Sequence, residues 1–226
     1  MPALPAPERV MIEAVVFDLD GVLIQTEELW DEVRESLARA AGGRYGEEEQ
    51  RAMMGMSSPE WSRFMHEHVG LPVPPDEIAA EVVRRMSERY RERLPLIDGA
   101  IEAVECLAAR WPLGVASSSN RELIDLVLEL SGLDRHFRAT VSSEEVACGK
   151  PAPDVYLEAC RRLGAEPARA AAVEDSHAGI RSAKAAGMRV LAIPNPTYPP
   201  DDEALANADV VLNSLSDLTP EAVQIP

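Results

Sequence analysis

Short apolar runs recur along the chain, and segments with helical spacing separate them. The runs cover residues 10–19, 112–118, 137–143, 169–175, 188–193 and 208–212, and each predicts a buried strand. Helical patterns cover 98–110, 120–132, 152–164 and 177–187. Because strands alternate with helices of similar length, the pattern predicts βαβ units and a parallel sheet.

One interval breaks this alternation. About 90 residues separate the first two predicted strands, far more than a crossover needs. Residues 26–42 carry Leu29, Val33, Leu37 and Ala40 at helical spacing, and 74–94 form a second long pattern. We therefore predict an α/β fold, with a doubly wound, Rossmann-like parallel sheet. Its core covers 1–24 and 95–226, and an inserted all-helical cap covers 25–94.

Composition narrows the classes of protein. The chain has 226 residues, 46% of them apolar, and a formal net charge of −17. Nucleic acids and anionic membranes are unlikely partners because both require a basic surface. We expect neither a signal peptide nor a membrane span. The three cysteines form no C-x-x-C pair, which favours a reducing, cytoplasmic location.

Polar side chains follow four of the predicted strands. The carboxyl ends of parallel strands meet at one edge of a sheet, where ligands bind in open α/β folds. We expect four sets to meet there: Asp18 and Asp20; Ser117, Ser118, Ser119 and Asn120; Lys150 in "GKPAPD"; and Glu174 and Asp175 in "EDSHAG".

These sets favour a phosphoryl site. Four crowded carboxylates are tolerable around a cation, and hard oxygen ligands favour Mg²⁺. Lys150 adds a positive charge, while Ser117 and the helix that begins near Asn120 offer donors to an anion. An N-cap role for Ser119 or Asn120 is compatible with this prediction.

The four motifs together resemble those of the haloacid dehalogenase superfamily. "DLDGV", Ser117, "GKPAPD" and "EDSHAG" carry the resemblance, which spans about residues 10–215. The helical insert resembles the cap of the branch that contains β-phosphoglucomutase-like enzymes and sugar phosphatases. The resemblance implies a phosphoric monoester hydrolase that acts on a small phosphorylated metabolite.

The resemblance also implies roles for individual residues. Asp18 would be the nucleophile that forms an aspartyl-phosphate, and Asp20 the general acid and base. Lys150 would hold the phosphoryl oxygens together with Ser117, Ser118 and Asn120. Mg²⁺ would bind Asp18, the backbone carbonyl of Asp20 and Asp175, and Glu174 would be either a ligand or the partner of a metal-bound water.

The predicted cap would act as a lid that selects the leaving group. Its expected substrate contacts are Thr26, Trp30, Met56 and Ser58. Sugar phosphomutases of this family usually carry histidine at the position of Trp30 and arginine at the position aligned with Ser58. Their replacement favours an Mg²⁺-dependent phosphatase for a sugar phosphate. We also expect a monomer, because the predicted cap would cover the site without a second copy of the chain.

Two alternatives stay open at this point. A β-phosphoglucomutase-like mutase would share the motifs, and a non-catalytic binding protein would share the fold. A dehalogenase is disfavoured because that chemistry lacks the second aspartate in this family, whereas Asp20 is present. A phosphonatase needs a cap lysine, and residues 25–94 contain none.

Overall fold

Six parallel strands form one sheet, which confirms the predicted fold class. The computed structural model describes residues 11–53 and 56–224. The strands are β1 (Ala14–Phe17), β2 (Leu113–Ser117), β3 (Phe137–Ser142), β4 (Ala170–Glu174), β5 (Arg189–Ala192) and β6 (Val210–Val211). Their order is β3-β2-β1-β4-β5-β6. The order reverses beside β1, and this topological switch point is where open α/β sheets bind ligands.

Helices occupy the chain between and after the strands. Those that follow β1 are α1 (Glu27–Ala40), α2 (Glu47–Met53), α3 (Ser58–Phe64), α4 (Pro75–Glu92) and α5 (Ala100–Ala108). The later ones are α6 (Arg121–Ser131), α7 (Asp154–Leu163), α8 (His177–Ala185), α9 (Asp202–Leu205) and α10 (Pro220–Gln224). None of the described helices has the length and apolar character required to traverse a bilayer.

The alternation along β1 explains the two-layer core. Val15 and Phe17 pack in a cluster that includes residues of α5 and α6, whereas Ala14 and Val16 pack against α7 and α8. Successive side chains of a strand point to opposite faces, so a strand covered on both sides must be apolar throughout. All four residues of β1 are buried accordingly.

Helices α1 to α4 lie between β1 and β2, within the predicted cap. The outgoing and returning connections run side by side, because Gln25 donates its backbone N–H to Pro95 at 2.8 Å and Ile97 donates to Leu23 at 3.0 Å. This pairing brings the chain back to the sheet near its point of departure. The domain boundaries at 25 and 94 remain a prediction.

The first strand is shorter than the apolar run that predicts it. It begins at Ala14 and ends at Phe17, while Val10 lies outside the described residues. Beyond Phe17 the backbone N–H of Asp18 still bonds to Val173 at 2.9 Å, and the chain then turns at Gly21, whose φ is 83°. A positive φ suits glycine, and the turn directs the chain towards α1.

Candidate active site

Side chains from the carboxyl ends of the strands meet beside a cavity of about 170 Å³ between the sheet edge and helices α1 to α3. Eight residues predicted for the site line this cavity: Asp18, Asp20, Thr26, Trp30, Met56, Ser118, Lys150 and Asp175. Ser117 and Glu174 lie just behind this wall, fully buried. Parallel strand order brings these residues together although they are far apart in the sequence.

Lys150 forms a buried ionic cluster with two carboxylates. Its Nζ lies 2.9 Å from Oδ1 of Asp18 and 2.6 Å from Oε1 of Glu174. Burial alone would lower the pKa of Lys150, but the charges of Asp18 and Glu174 outweigh it and raise the pKa. Lys150 therefore stays positively charged at the centre of the site.

Glu174 is fixed on every side. Its Oε1 accepts the Tyr156 hydroxyl at 2.6 Å, and its Oε2 accepts the backbone N–H of Asp175 and the Ser176 hydroxyl, each at 3.2 Å. Helix α8 has glycine at 179, where a Cβ would lie 1.9 Å from the carboxylate oxygens. Both oxygens are thus already paired, and Glu174 holds Lys150 in position.

Asp18 and Asp175 are buried carboxylates with raised pKa values. Burial, together with the charges of Glu174 and Asp20, raises the pKa of Asp18 to about 7 against the opposing effect of Lys150. Burial and the charges of Glu174 and Asp18 raise the pKa of Asp175 well above its ordinary range. The positive charge around each carboxylate is too small to offset the free-energy cost of ionising it in a buried position.

The donor set fits a hard divalent cation. Ligand oxygens of Asp18, Glu174 and Asp175 lie within 4.8 Å of one another. Oδ1 of Asp175 is buried, and no described residue donates a hydrogen bond to it. At Gly21, a Cβ would lie 2.0 Å from Oδ2 of Asp175. The glycine therefore leaves room for a carboxylate that has a free oxygen beside two further carboxylates.

Asp20 is held by donors from both sides of the cavity. Oδ1 accepts the Thr26 hydroxyl at 2.5 Å and the Trp30 indole N–H at 3.4 Å. Oδ2 accepts the Ser119 hydroxyl at 2.6 Å and the Ser117 hydroxyl at 3.5 Å. The start of α1 and the end of β2 together orient this carboxylate towards the cavity.

Besides Ser117 and Glu174, two further residues predicted for the site, Asn120 and Ser58, do not line the cavity. The Asn120 amide donates to Glu144 at 2.7 Å, and Glu144 also accepts the backbone N–H of Arg121 at 2.9 Å. The Glu144 carboxylate thus accepts a backbone N–H at the start of α6. This placement of Asn120 gives no support to its predicted contact with phosphate. Ser58 is buried at the start of α3, away from the cavity wall.

Eleven residues that line the cavity have no binding or catalytic role in the sequence analysis, and they include Ser119, Arg34, Asn195 and Tyr198. Ser119 stands in a serine run that also fits helix capping, and Arg34 lies one helical turn after Trp30. Asn195 and Tyr198 belong to the proline-rich loop after β5. Their position in the sequence could have indicated a role at the site, since this loop also follows the carboxyl end of a strand. Asn195 donates to Glu27 at 2.7 Å and to Asp175 at 3.4 Å.

Comparison with known proteins gives consistent matches. Residues 12–187 match the model of the haloacid dehalogenase-like hydrolases. The chain is 34% identical over 218 residues to a probable pseudouridine-5'-phosphatase from Drosophila melanogaster, covering 93% of each protein. It is 31% identical over 219 residues to hexitol phosphatase B from Escherichia coli K12, covering 96% of this chain and 97% of that protein.

A solved structure extends the likeness to three dimensions. CbbY from Rhodobacter sphaeroides in complex with phosphate matches with a TM-score of 0.84 and 29% identity, covering 95% of this chain and all of that one. These matches confirm the predicted fold and the prediction of a phosphoric monoester hydrolase. The chain therefore belongs to the family of haloacid dehalogenase-like hydrolases.

Proposed function

We propose that this protein is an Mg²⁺-dependent phosphatase that hydrolyses a small sugar phosphate through an aspartyl-phosphate. The observation that carries this proposal is the buried cluster of Asp18, Lys150 and Glu174 beside the unpaired oxygen of Asp175. A lysine, a free carboxylate oxygen and a second oriented aspartate at one sheet edge suit phosphoryl transfer. The names of the two relatives, a probable pseudouridine-5'-phosphatase and hexitol phosphatase B, support the same reaction.

The metal would bind to Asp18, Asp175 and the backbone carbonyl of Asp20. Glu174 would keep Lys150 in position beside this site. When bound, Mg²⁺ offsets the negative charge of the carboxylates and of the phosphoryl oxygens. The raised pKa values of Asp18 and Asp175 describe the protein without this charge. A cation beside them favours the ionised form of both groups.

Two aspartates divide the covalent chemistry. A carboxylate oxygen of Asp18 attacks phosphorus and forms a new P–O bond while the bond to the leaving oxygen breaks. Asp20 gives its proton to that leaving oxygen, and the alcohol departs. Asp20 then takes a proton from water, whose oxygen attacks phosphorus and releases Asp18 and inorganic phosphate.

Lys150 and the serines at the end of β2 hold the transferring group. Lys150 places a fixed positive charge beside Asp18, where negative charge on the phosphoryl oxygens must be balanced. Ser118 lines the cavity next to it. The Ser117 hydroxyl accepts the backbone N–H of Ser119 at 3.0 Å and keeps this turn in shape.

Residues of the predicted cap orient the general acid. Thr26 and Trp30 donate to Asp20, so its orientation depends on the position of α1 against the sheet. Movement of the cap would expose the site for substrate entry, and its return would exclude bulk water and restore these contacts. Met56 adds an apolar wall for the leaving group.

The test is release of inorganic phosphate from p-nitrophenyl phosphate in the presence of Mg²⁺. Asp18→Asn removes the nucleophile, and we expect kcat to fall on the order of 10⁴-fold. Asp76→Asn, at an exposed position of α4, is the matched control and leaves kcat unchanged. Full activity of Asp18→Asn would refute the mechanism.

Trp30 separates the phosphatase from the alternative mutase. Its indole N–H can donate to Asp20, but it cannot exchange protons as a histidine would. Incubation with hexose 1-phosphate and hexose 6-phosphate distinguishes the two activities. We expect inorganic phosphate as the product, whereas interconversion of the two esters would establish a mutase. A protein inert towards a broad panel of phosphate esters would instead indicate a binding function.

A further inference from the structure

Arg34 is a cation in the cavity wall that the proposed chemistry does not use. It lies on α1, and its guanidinium carbon is 4.8 Å from the centre of the Trp30 ring and 4.8 Å from that of the Trp61 ring. Its Nε is buried, and no described residue accepts a hydrogen bond from it. Two aromatic rings thus pack against the guanidinium while its buried Nε has no hydrogen-bond acceptor among the described residues.

The carboxylates nearest Arg34 act on it by charge but do not pair with it. Lys150, the other cation of the described cavity wall, pairs with Asp18 and Glu174. Asp31 also lines the cavity, but its Oδ1 accepts the Tyr45 hydroxyl at 2.8 Å. Within residues 11–53 and 56–224, Arg34 forms no salt bridge. Burial lowers the pKa of Arg34 to about 10, although Tyr45 and the charges of Asp31 and Asp20 oppose this shift, so Arg34 remains charged at neutral pH.

A partly desolvated guanidinium is costly unless an anion pairs with it. Aromatic faces compensate only part of this cost. The planar fork of arginine matches carboxylate and phosphate groups through two parallel hydrogen bonds. An unpaired fork at the wall of a substrate cavity is therefore a binding position for an anionic group of the ligand.

The position of Arg34 identifies which part of the substrate it meets. Trp30 donates to Asp20, the proposed acid for the leaving oxygen, and the same indole ring packs on Arg34. Arg34 thus lies beyond Asp20, on the side of the leaving group. Arg34, Trp30 and Trp61 all line the same cavity as Asp20.

We propose that Arg34 binds a second anionic group, a carboxylate or a second phosphate, at the far end of the leaving group. This inference rests on the proposed function and narrows its substrate class to small phosphate esters that carry a further negative charge. It also explains how an acidic protein accepts such substrates, because Arg34 supplies a local positive charge for the second group.

Three matched substrates test this inference. They are three-carbon phosphate esters that end in a carboxylate, a second phosphate or a hydroxyl group. We expect kcat/KM of the wild-type protein to be about 10- to 100-fold higher for one or both anionic esters than for the hydroxyl ester, as a charged hydrogen bond implies. The two anionic esters distinguish a carboxylate from a phosphate as the second group.

Substitutions of arginine assign the preference to Arg34. Arg34→Met should abolish the ratio between anionic and hydroxyl esters, and Arg34→Lys, which keeps the charge without the fork, should retain part of it. Arg39→Met is the matched control, since Arg39 lies on the same helix with its side chain 74% exposed. This control should keep the wild-type ratio.

Two kinetic outcomes would overturn the inference: equal kcat/KM of the wild-type protein for all three esters, or an unchanged preference in Arg34→Met. Calorimetric binding of the three esters to Asp18→Asn protein measures recognition without turnover. Equal affinities there would also refute the role of Arg34. Absence of turnover for all esters and for p-nitrophenyl phosphate, with discriminating affinities, would instead refute the proposed phosphatase and leave the anion site standing.

Discussion

The paired carboxylates after β1 differ in what surrounds them. Asp18 is buried against Lys150 and Glu174, whereas Asp20 accepts hydroxyl and indole donors at the cavity wall. Different surroundings allow two neighbouring acids to take different parts in one reaction. The buried group carries the greater electrostatic cost, because water cannot screen it from Glu174.

This cost predicts how stability depends on pH and on Mg²⁺. The pKa of Asp18 is raised from 3.8 to about 7, and that of Asp175 is also raised, so the folded state binds protons more tightly than the unfolded state. Stability in EDTA should therefore fall as pH rises from about 4 through about 7. Mg²⁺ should raise Tm more at pH 8 than at pH 5, because protons compete with the metal.

Differential scanning calorimetry at both pH values, with EDTA or with Mg²⁺, checks this prediction. Asp175→Asn should reduce the Mg²⁺-dependent increase in Tm at pH 8. An equal increase at pH 5 and pH 8 in the wild-type protein would contradict the assignment of these carboxylates to the metal.

At the scale of elements, the loop after β5 joins the sheet to the helices above it. Gln50 on α2 donates to the Tyr198 hydroxyl at 2.9 Å, and Asn195 donates to Glu27 on α1 at 2.7 Å. Both contacts connect the sheet edge with helices of the predicted cap. The loop can therefore hold those helices over the cavity while the reaction proceeds.

A double-mutant cycle tests this connection. Gln50→Leu and Tyr198→Phe each remove the same hydrogen bond, and each should raise KM for p-nitrophenyl phosphate by roughly 2- to 10-fold. Because the two changes act on one contact, the double variant should be no worse than the more affected single variant. Steady-state kinetics measures the cycle, and fully additive effects would show that the bond does not hold the helices.

At the scale of the whole molecule, the exposed large apolar side chains of the described residues are spread along the chain. They are Met11, Val73, Ile101, Leu130, Leu157 and Val211. Apolar residues scattered singly are normal on a monomer surface. The net charge of −17 also opposes association of two copies at low ionic strength.

We accordingly predict a monomer in solution. Sedimentation equilibrium in low salt should give a mass near 24.6 kDa, because repulsion between acidic chains outweighs the burial of isolated apolar side chains. A higher salt concentration provides the control, since it screens that repulsion. A mass of twice this value at both salt concentrations would contradict the prediction.

The sequence by itself determined the sheet, the inserted helices and the edge where the chemistry lies. Hydrophobic periodicity is a local property, and parallel strands place their carboxyl ends together whatever the loops contain. Asp18, Asp20, Lys150 and Asp175 were therefore predictable as neighbours. Glu174 and Ser117 were predictable at this edge as well, because each belongs to a motif that follows a strand.

Only the tertiary structure decided which donor meets which acceptor. Glu174, expected as a metal ligand or as the partner of a metal-bound water, pairs with Lys150, and Asn120, expected at the phosphate, donates to Glu144. Arg34 reaches the cavity because the face of α1 that carries Trp30 and Arg34 packs over the strand ends. Such contacts depend on the angles and distances between elements, and no local pattern in the sequence encodes those distances.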